Sequence, residues 1–404
     1  MIPRAAAATL RRLAGYYPVV ALTGPRQSGK TTLARAVFAH KPYVSLEDPD
    51  TRHFAQGDPR RFLAQYPDGA VIDEAQRVPD LFSYLQTRVD AERKLGQFVL
   101  TGSQQFGLLS GISQTLAGRV GLVHLLPFCL TELATAQKLP DLETMLWRGQ
   151  YPPVIDRAVP PGDWYADYVA TYIERDVRQM VNVRDLGTFR RFVRMCAART
   201  GQTLNLSGLA ADCGITHNTA KAWISILEAS YVLFLLPPHA RSFGKRLVKA
   251  PKLYFYDCGL AAWLAGVQSA GEIGLGAMRG PLFETWAVAE FVKFRANRAL
   301  SPALYFWRNN HGDEIDLLVD RGELLYPVEF KAGQTIAGDW LAPLQKFLRL
   351  AAGGEGALLY GGATAQARES VSIHGWKEIE SVAGRAFGVA SANGFRPPRA
   401  PRPA

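Results

Sequence analysis

Cysteine is scarce: the chain has four in 404 residues, at positions 129, 196, 213 and 258, and no Cys-x-x-Cys pair. Thiols scattered in this way build neither a disulfide framework nor the paired ligands of a zinc site. None of the seven histidines falls in a His-Glu-x-x-His pattern, which excludes that metalloprotease signature. No apolar run reaches the roughly 18 residues that a membrane span needs. Met1 to Ala14 is basic but lacks the apolar stretch of a secretion signal. These absences predict a cytoplasmic protein with no membrane contact. No internal repeat is visible either.

With 48% hydrophobic and 20% charged residues, the chain has ample material for a buried core, and its length predicts two or three domains. The formal charge is +10, but Arg385, Arg396, Arg399 and Arg402 lie in a terminal stretch without a single acid, leaving +6 for the rest. That excess permits a nucleic-acid partner without singling one out. The last residues, 391–404, are rich in Pro and Arg and are predicted to be disordered.

Between Tyr17 and Val123, short apolar runs alternate with helical patterns, as in a parallel sheet wrapped by helices. Strands are predicted at 19–23, 43–46, 70–72, 98–101 and 120–125, with helices at 30–39, 81–92 and 108–116. Gly24-Pro25-Arg26-Gln27-Ser28-Gly29-Lys30-Thr31 fits G-x-x-x-x-G-K-[ST], placed directly after a strand and before a helix. Glycines at 24 and 29 let the main chain turn its N–H groups onto a phosphate, and the helix N-terminus adds its dipole. Lys30 then bridges phosphate oxygens, the Thr31 hydroxyl ligates Mg²⁺, and Thr32 follows in the same turn. The predicted ligands are ATP and Mg²⁺.

The run Ala70-Val71-Ile72-Asp73-Glu74 supplies the second half of such a site: Asp73 for the metal and Glu74 to polarise the attacking water. Beyond the strand at 98–101, Ser103, or else Gln104, is placed to sense the γ-phosphate, although a plain β-turn explains the same residues. Arg119 reads either as a finger reaching a neighbour's ATP in a homo-oligomer or as one half of a surface ion pair.

Taken together, GPRQSGKTT, VIDEAQ, LTGSQQF and LAGRV resemble the prokaryotic AAA+-type ATPases that carry a C-terminal domain of unknown function. The resemblance continues through 171–177, 245–249 and 254–260. It implies an ATPase core (1–127), a helical lid (128–200), a winged helix-turn-helix (201–256) and a nuclease-like α/β end (257–390). In the lid, Tyr165, Tyr168, Val169, Tyr172 and Ile173 recur at helical spacing. In the winged helix, residues 206–213, a turn at Gly214 and residues 216–229 make two helices. Thr216 caps the second, which presents His217, Asn218, Thr219, Lys221 and Trp223. No acid lies between Glu228 and Asp257, while Arg241, Lys245, Arg246, Lys249 and Lys252 accumulate there, a stretch suited to a DNA backbone.

Toward the end come Glu284 in a helical pattern, Asp316 before Leu317-Leu318-Val319, and Val328-Glu329-Phe330-Lys331. The order resembles the D…ExK pattern of restriction-endonuclease-like folds, with Ile315 in place of the usual proline. Glu329 and Lys331, two apart on a strand, share one face. The resemblance implies that Asp316, Glu329 and Glu284 hold Mg²⁺ while Lys331 orients water. Two functions remain open: an ATPase coupled to DNA binding or processing, and a switch-type ATPase acting on a protein partner with the C-terminal fold kept for docking. A small-molecule kinase is disfavoured because no acceptor pocket can be located.

Overall fold

The computed structural model describes residues 1–103, 108, 111–112, 114–173, 185–240, 249–301, 303–368 and 370–389. Gln104, residues 174–177, Arg241, residues 245–248 and the 391–404 tail therefore lie outside the described residues, as do residues 109, 110 and 113 of the helix expected at 108–116.

The first unit is a five-stranded parallel sheet, β1 (Val19–Thr23), β2 (Tyr43–Ser45), β3 (Val71–Asp73), β4 (Phe98–Gly102) and β5 (Val120–His124), in the order β2-β3-β4-β1-β5. Every residue of β1 and β4 is buried, as central parallel strands covered on both faces require. Strand β4 thus lies between the strand that leads into the glycine loop and the strand that ends in Asp73.

The helical middle follows: Leu130–Ala136, Leu142–Arg148, Pro152–Asp156, then Pro161–Tyr168 running into a π-helical turn, Val169–Ile173. Its aromatic side chains stack on one another, with Trp164 and Tyr168 ring centroids 4.8 Å apart. Helices Leu186–Ala198, Leu206–Cys213 and His217–Ala229 come next, and then the antiparallel pair β6 (Leu233–Leu236) and β7 (Lys252–Phe255). Gly214 closes the first of the two short helices in the left-handed region, and the Thr216 hydroxyl caps the second by accepting from Thr219 N at 3.1 Å. Trp223, expected on the reading face, is instead buried, edge-on to Phe189 and Phe192. An indole of that size gains more from the core than from water.

The C-terminal sheet has six strands: β8 (Leu304–Arg308), β9 (Glu314–Asp320), β10 (Leu325–Lys331), β11 (Gly356–Tyr360), β12 (Gln366–Arg368) and β13 (Val371–Gly375), ordered β12-β13-β11-β10-β9-β8. Strands β8 to β10 form an antiparallel meander, helix Ala342–Leu350 intervenes, and β11 returns parallel to β10.

The middle and the C-terminal sheet share one hydrophobic core, which extends from Leu126 to Ala386. At its centre runs helix Arg279–Arg298, buried along most of its length, with Leu282, Phe283, Trp286, Val288, Phe291 and Phe294 distributed over several of its faces. Its buried charged pair is satisfied, although Trp286 Nε1 is buried without a hydrogen-bond partner among the described residues. Lys293 Nζ donates to Phe128 O, Gln150 Oε1 and Glu290 Oε1, and Glu290 Oε2 accepts from Leu130 N.

Candidate functional site

The loop after β1 has the shape its glycines dictate. Gly24 adopts φ 146°, and a Cβ there would come within 2.1 Å of Leu125 O, so no other residue fits. Gly29, at φ 90°, opens helix Lys30–Val37 without a side-chain cap, leaving the first N–H groups of the helix for a ligand. Lys30 is buried and its Nζ donates to Gly24 O (3.0 Å) and Pro25 O (2.7 Å), across the mouth of the loop. Burial brings its pKa down to about 8, against the opposing pull of Glu74 and Asp73.

Asp73 is brought beneath this loop, as the sequence predicts. Thr31 Oγ1 donates to both of its carboxylate oxygens, at 3.1 and 3.0 Å. Tyr43 OH donates to Oδ2 at 2.8 Å, and the Thr101 hydroxyl of the intervening strand β4 also donates. A hydroxyl beside a carboxylate at a phosphate loop is an oxygen donor set suited to Mg²⁺. Thr32, one residue on, is exposed.

Glu74 sits in the left-handed region at φ 54°, a conformation that costs a non-glycine residue about 1 kcal/mol or more. Its carboxylate accepts from the Gln76 amide and, at 3.1 Å, from Ser103 Oγ. Ser103, expected to face the γ-phosphate, is thus tied to Glu74. Arg119 lies at the start of β5, the end of the sheet opposite the loop, and makes a two-pronged ion pair with Asp90. The chain does not bring it to its own nucleotide site.

Several contributors carry no motif. Arg4 is buried and reaches forward to donate to Ser28 O (2.8 Å) and Leu126 O (2.6 Å), while Glu132 lies 3.1 Å from its Nε. Holding the Ser28 carbonyl outside the loop turns the following N–H inward, since the two point opposite ways across a planar peptide. Gln27, at the loop tip with φ 60°, donates to Tyr172 OH (2.8 Å) and accepts from Trp164 Nε1 (3.3 Å). At the base of the loop, Thr23 Oγ1, His124 Nδ1 and Tyr231 OH form a triangle with sides of 2.7, 2.8 and 2.8 Å. Burial, then the charge of Arg295, brings His124 down to about 4, so the ring is neutral. An aromatic or charged residue far away in sequence gives no local signal of such contacts. Asp257, in the 254–260 stretch, is a junction of the same kind, accepting from Tyr165 OH, Gln150 N and Leu260 N.

A second cluster forms in the C-terminal unit. Asp316 on β9 and Glu329 on β10 lie on neighbouring antiparallel strands, and Phe330 N donates to Asp316 Oδ2 at 3.0 Å. Lys331 Nζ is 3.2 Å from Glu329 Oε2, so the shared face expected for the pair is present. Burial, and then Asp316, pushes Glu329 well above the usual carboxylate range. The same two causes push Glu284 up to about 7. Lys252 corrects the sequence reading most. Expected on a DNA-facing surface, it is buried, with its ammonium against Glu284 (2.9 Å), Glu314 and Asp316 (3.8 Å). Lys249 is exposed. Among the described residues, no group of three or more His, Cys, Asp or Glu is placed to hold a metal ion, so the expected Mg²⁺ set of Glu284, Asp316 and Glu329 is not assembled. No helix among the described residues is long and apolar enough to cross a membrane.

Comparison with known proteins gives three family matches along the chain: "AAA domain" at residues 16–134, "Domain of unknown function (DUF8612)" at 139–271 and "Domain of unknown function (DUF4143)" at 279–378. Among solved structures, the Walker-type ATPase PABY2304 of Pyrococcus abyssi aligns at TM-score 0.44 and 15% identity, over 64% of this chain and 94% of that one. Two curated relatives, the uncharacterized proteins Rv2008c of Mycobacterium tuberculosis and Mb2031c of Mycobacterium bovis, are each 34% identical over 343 residues, 82% of this chain and 74% of theirs. The chain belongs to the family of these mycobacterial proteins, and its N-terminal part is an ATPase domain of the AAA type.

Proposed function

We propose that this protein hydrolyses ATP with Mg²⁺ and that the nucleotide state moves the helical middle, and with it a surface that contacts DNA. The observation that carries the ATPase half is the Asp73 carboxylate beneath Thr31 at the head of the loop helix. Main-chain N–H groups and Lys30 bind the phosphates, and Lys30 leaves its loop carbonyls to do so. Bound Mg²⁺, held by Thr31 and Asp73, would offset charge on the phosphate oxygens. Glu74 orients the attacking water and takes up its proton, with Ser103 and Gln76 fixing its carboxylate. Tyr43 and Thr101 fix the orientation of the Asp73 carboxylate by donating to it.

Coupling is supported by two contacts that touch the loop at its tip and its base: Gln27 with Trp164 and Tyr172, and Thr23 with Tyr231. The exposed His217, Asn218 and Lys221, on the second helix of a helix-turn-helix followed by a two-stranded hairpin, support the winged-helix and DNA reading. The order helix, meander, helix, parallel strand supports a restriction-endonuclease-like C-terminal unit. With Lys252 among its carboxylates, no cleavage step is derived for that unit.

The other reading, a switch acting on a protein partner, is favoured by the burial of Trp223 and Lys252, which removes two groups from the DNA-facing set. ATP turnover measured with and without duplex and single-stranded DNA separates the two. Stimulation that rises with DNA and falls with added salt supports coupling to DNA. Turnover indifferent to DNA, together with a protein recovered by affinity capture, supports the switch. In a homo-oligomer Arg119 would first have to leave Asp90. Mixing Arg119→Ala with Glu74→Gln protein should restore some turnover if it acts across subunits, and none if it only pairs with Asp90.

A further inference from the structure

Helix Arg279–Arg298 carries four cationic side chains, and three of them end on carboxylates: Arg279 on Glu143 (2.6 Å), Lys293 on Glu290 (3.0 Å) and Arg298 on Glu380 (2.7 Å). The fourth, Arg295, is half-buried and pairs with no carboxylate among the described residues. Burial lowers its pKa against the pull of the Tyr256 phenol, yet a guanidinium remains charged at neutral pH. Glu228, whose charge acts on Tyr256, makes no ion pair with Arg295. Arg295 borders a cavity of about 270 Å³ where three parts of the chain meet. Leu122 and His124 come from β5, Tyr231 and Tyr256 flank the β6–β7 pair, and Val292 comes from the same helix as Arg295. The two phenol rings have centroids 5.8 Å apart. With His124 neutral, Arg295 is the one charged group among the described side chains of the wall.

A guanidinium walled largely by apolar groups and lacking a counter-anion is unfavourable, and a carboxylate is the group whose two oxygens match its fork of donors. One positive charge balances one negative charge, which favours a monocarboxylate over a dianionic phosphate. The aliphatic and aromatic walls suit an apolar body on that acid, and the volume, just under the roughly 300–1,000 Å³ of drug-sized sites, keeps it small. We propose that this cavity binds a small apolar monocarboxylate, with the carboxylate on Arg295 and the body against Tyr231, Tyr256 and Val292, and that occupancy acts on the phosphate loop. The route is short. His124 Nδ1 and Tyr231 OH each touch Thr23 Oγ1, and Thr23 directly precedes Gly24. Binding of the acid stands on the cavity alone; its effect on the loop rests on the reading of that loop as a nucleotide site.

The test uses full-length, nucleotide-free protein and the probes acetate, isovalerate, benzoate and phenylacetate, followed by ligand-observed NMR and thermal melting. At least one of the three apolar acids binds with a Kd of about 1 mM or tighter, and about tenfold more tightly than acetate, its own amide or inorganic phosphate. Arg295→Met weakens that binding at least about tenfold, the worth of one charge-assisted pair. Without acid, the same variant melts at the wild-type temperature or slightly above, because methionine keeps an apolar stem and removes a cation that has no carboxylate partner. An Arg295→Met protein that melts several degrees lower, or does not fold, shows that the protein itself holds the guanidinium and overturns the proposal. So does failure of all three apolar acids to bind, equal binding of acid and amide, or binding that Arg295→Met leaves unchanged. Coupling is read as Mg-ATP affinity with and without saturating acid. It changes by at least about threefold, and Mg-ATP changes acid affinity by the same factor. Equal Mg-ATP affinities overturn the coupling. Protein that takes up acid but no Mg-ATP overturns the nucleotide reading and the coupling with it, and supports the acid site.

Discussion

The two clusters of this protein each set a buried lysine near acidic groups, and they differ in what the lysine rests on. In the phosphate loop, Lys30 lies on two main-chain carbonyls while Asp73 is satisfied separately by three hydroxyls. In the C-terminal unit, Lys252 lies directly among carboxylates. Neutral carbonyls hold an ammonium weakly enough for a triphosphate to take it over, whereas carboxylates hold it as a structural counter-charge. One lysine is therefore poised for exchange with substrate, and the other is part of the packing.

Four experiments sharpen or break that contrast, beginning with the largest effect. Lys252→Met should lower unfolding free energy by about 3–5 kcal/mol in metal-free buffer, since it strands buried carboxylates; Lys30→Ala should change it by less than about 1 kcal/mol. Equal losses in urea titrations would erase the distinction. Glu74→Gln should slow ATP turnover by about 10²–10³-fold while Mg-ATP affinity stays within about threefold. Parallel loss of binding would mean that Glu74 holds nucleotide rather than water.

Lys30→Ala should weaken Mg-ATP binding by about a hundredfold, the worth of about two charge-assisted hydrogen bonds, read by calorimetry. The pH response is smaller. Burial lowers Lys30 from 10.5 to about 8, so between those values the folded chain holds fewer protons than the unfolded chain, and the contribution of this group to stability rises with pH. Phosphate binding needs the ammonium and runs the other way. ATP affinity should fall by about tenfold as the pH rises to about one unit above that lowered pKa, and a flat profile in Lys30→Arg would assign the fall to this side chain.

The first cluster was largely legible in the sequence because its parts are contiguous. A strand, a loop of eight and a helix specify one another locally, and the apolar run ending in Asp73-Glu74 is equally compact. The partners that tune it were not, since Arg4, Tyr43, Thr101, Trp164 and Tyr231 reach it only through the strand order and packing of helices that no spacing encodes. The C-terminal face of Glu329 and Lys331 could be read from the period of a strand. Lys252 could not, because 64 residues separate it from Asp316 and its stretch, poor in acids, looked like a surface. Trp223 was misread for a related reason: helical position alone did not say which side the neighbouring helix Leu186–Ala198 would cover.

Helix Arg279–Arg298 bears on how the protein can be dissected. About 30 Å long by its residue count, it carries Glu284 near one end, supports Phe128 and Gln150 through Lys293 in the middle, and receives Arg12 on the Arg298 carbonyl at the other. A fragment ended before Arg279 would leave the amide of Leu130 and the carbonyl of Phe128 inside a greasy gap without their counterparts. Three profiles can be drawn along the sequence, but shears applied at their borders would wound the ATPase half, so loss of turnover in a shortened chain would say nothing about what the missing part does.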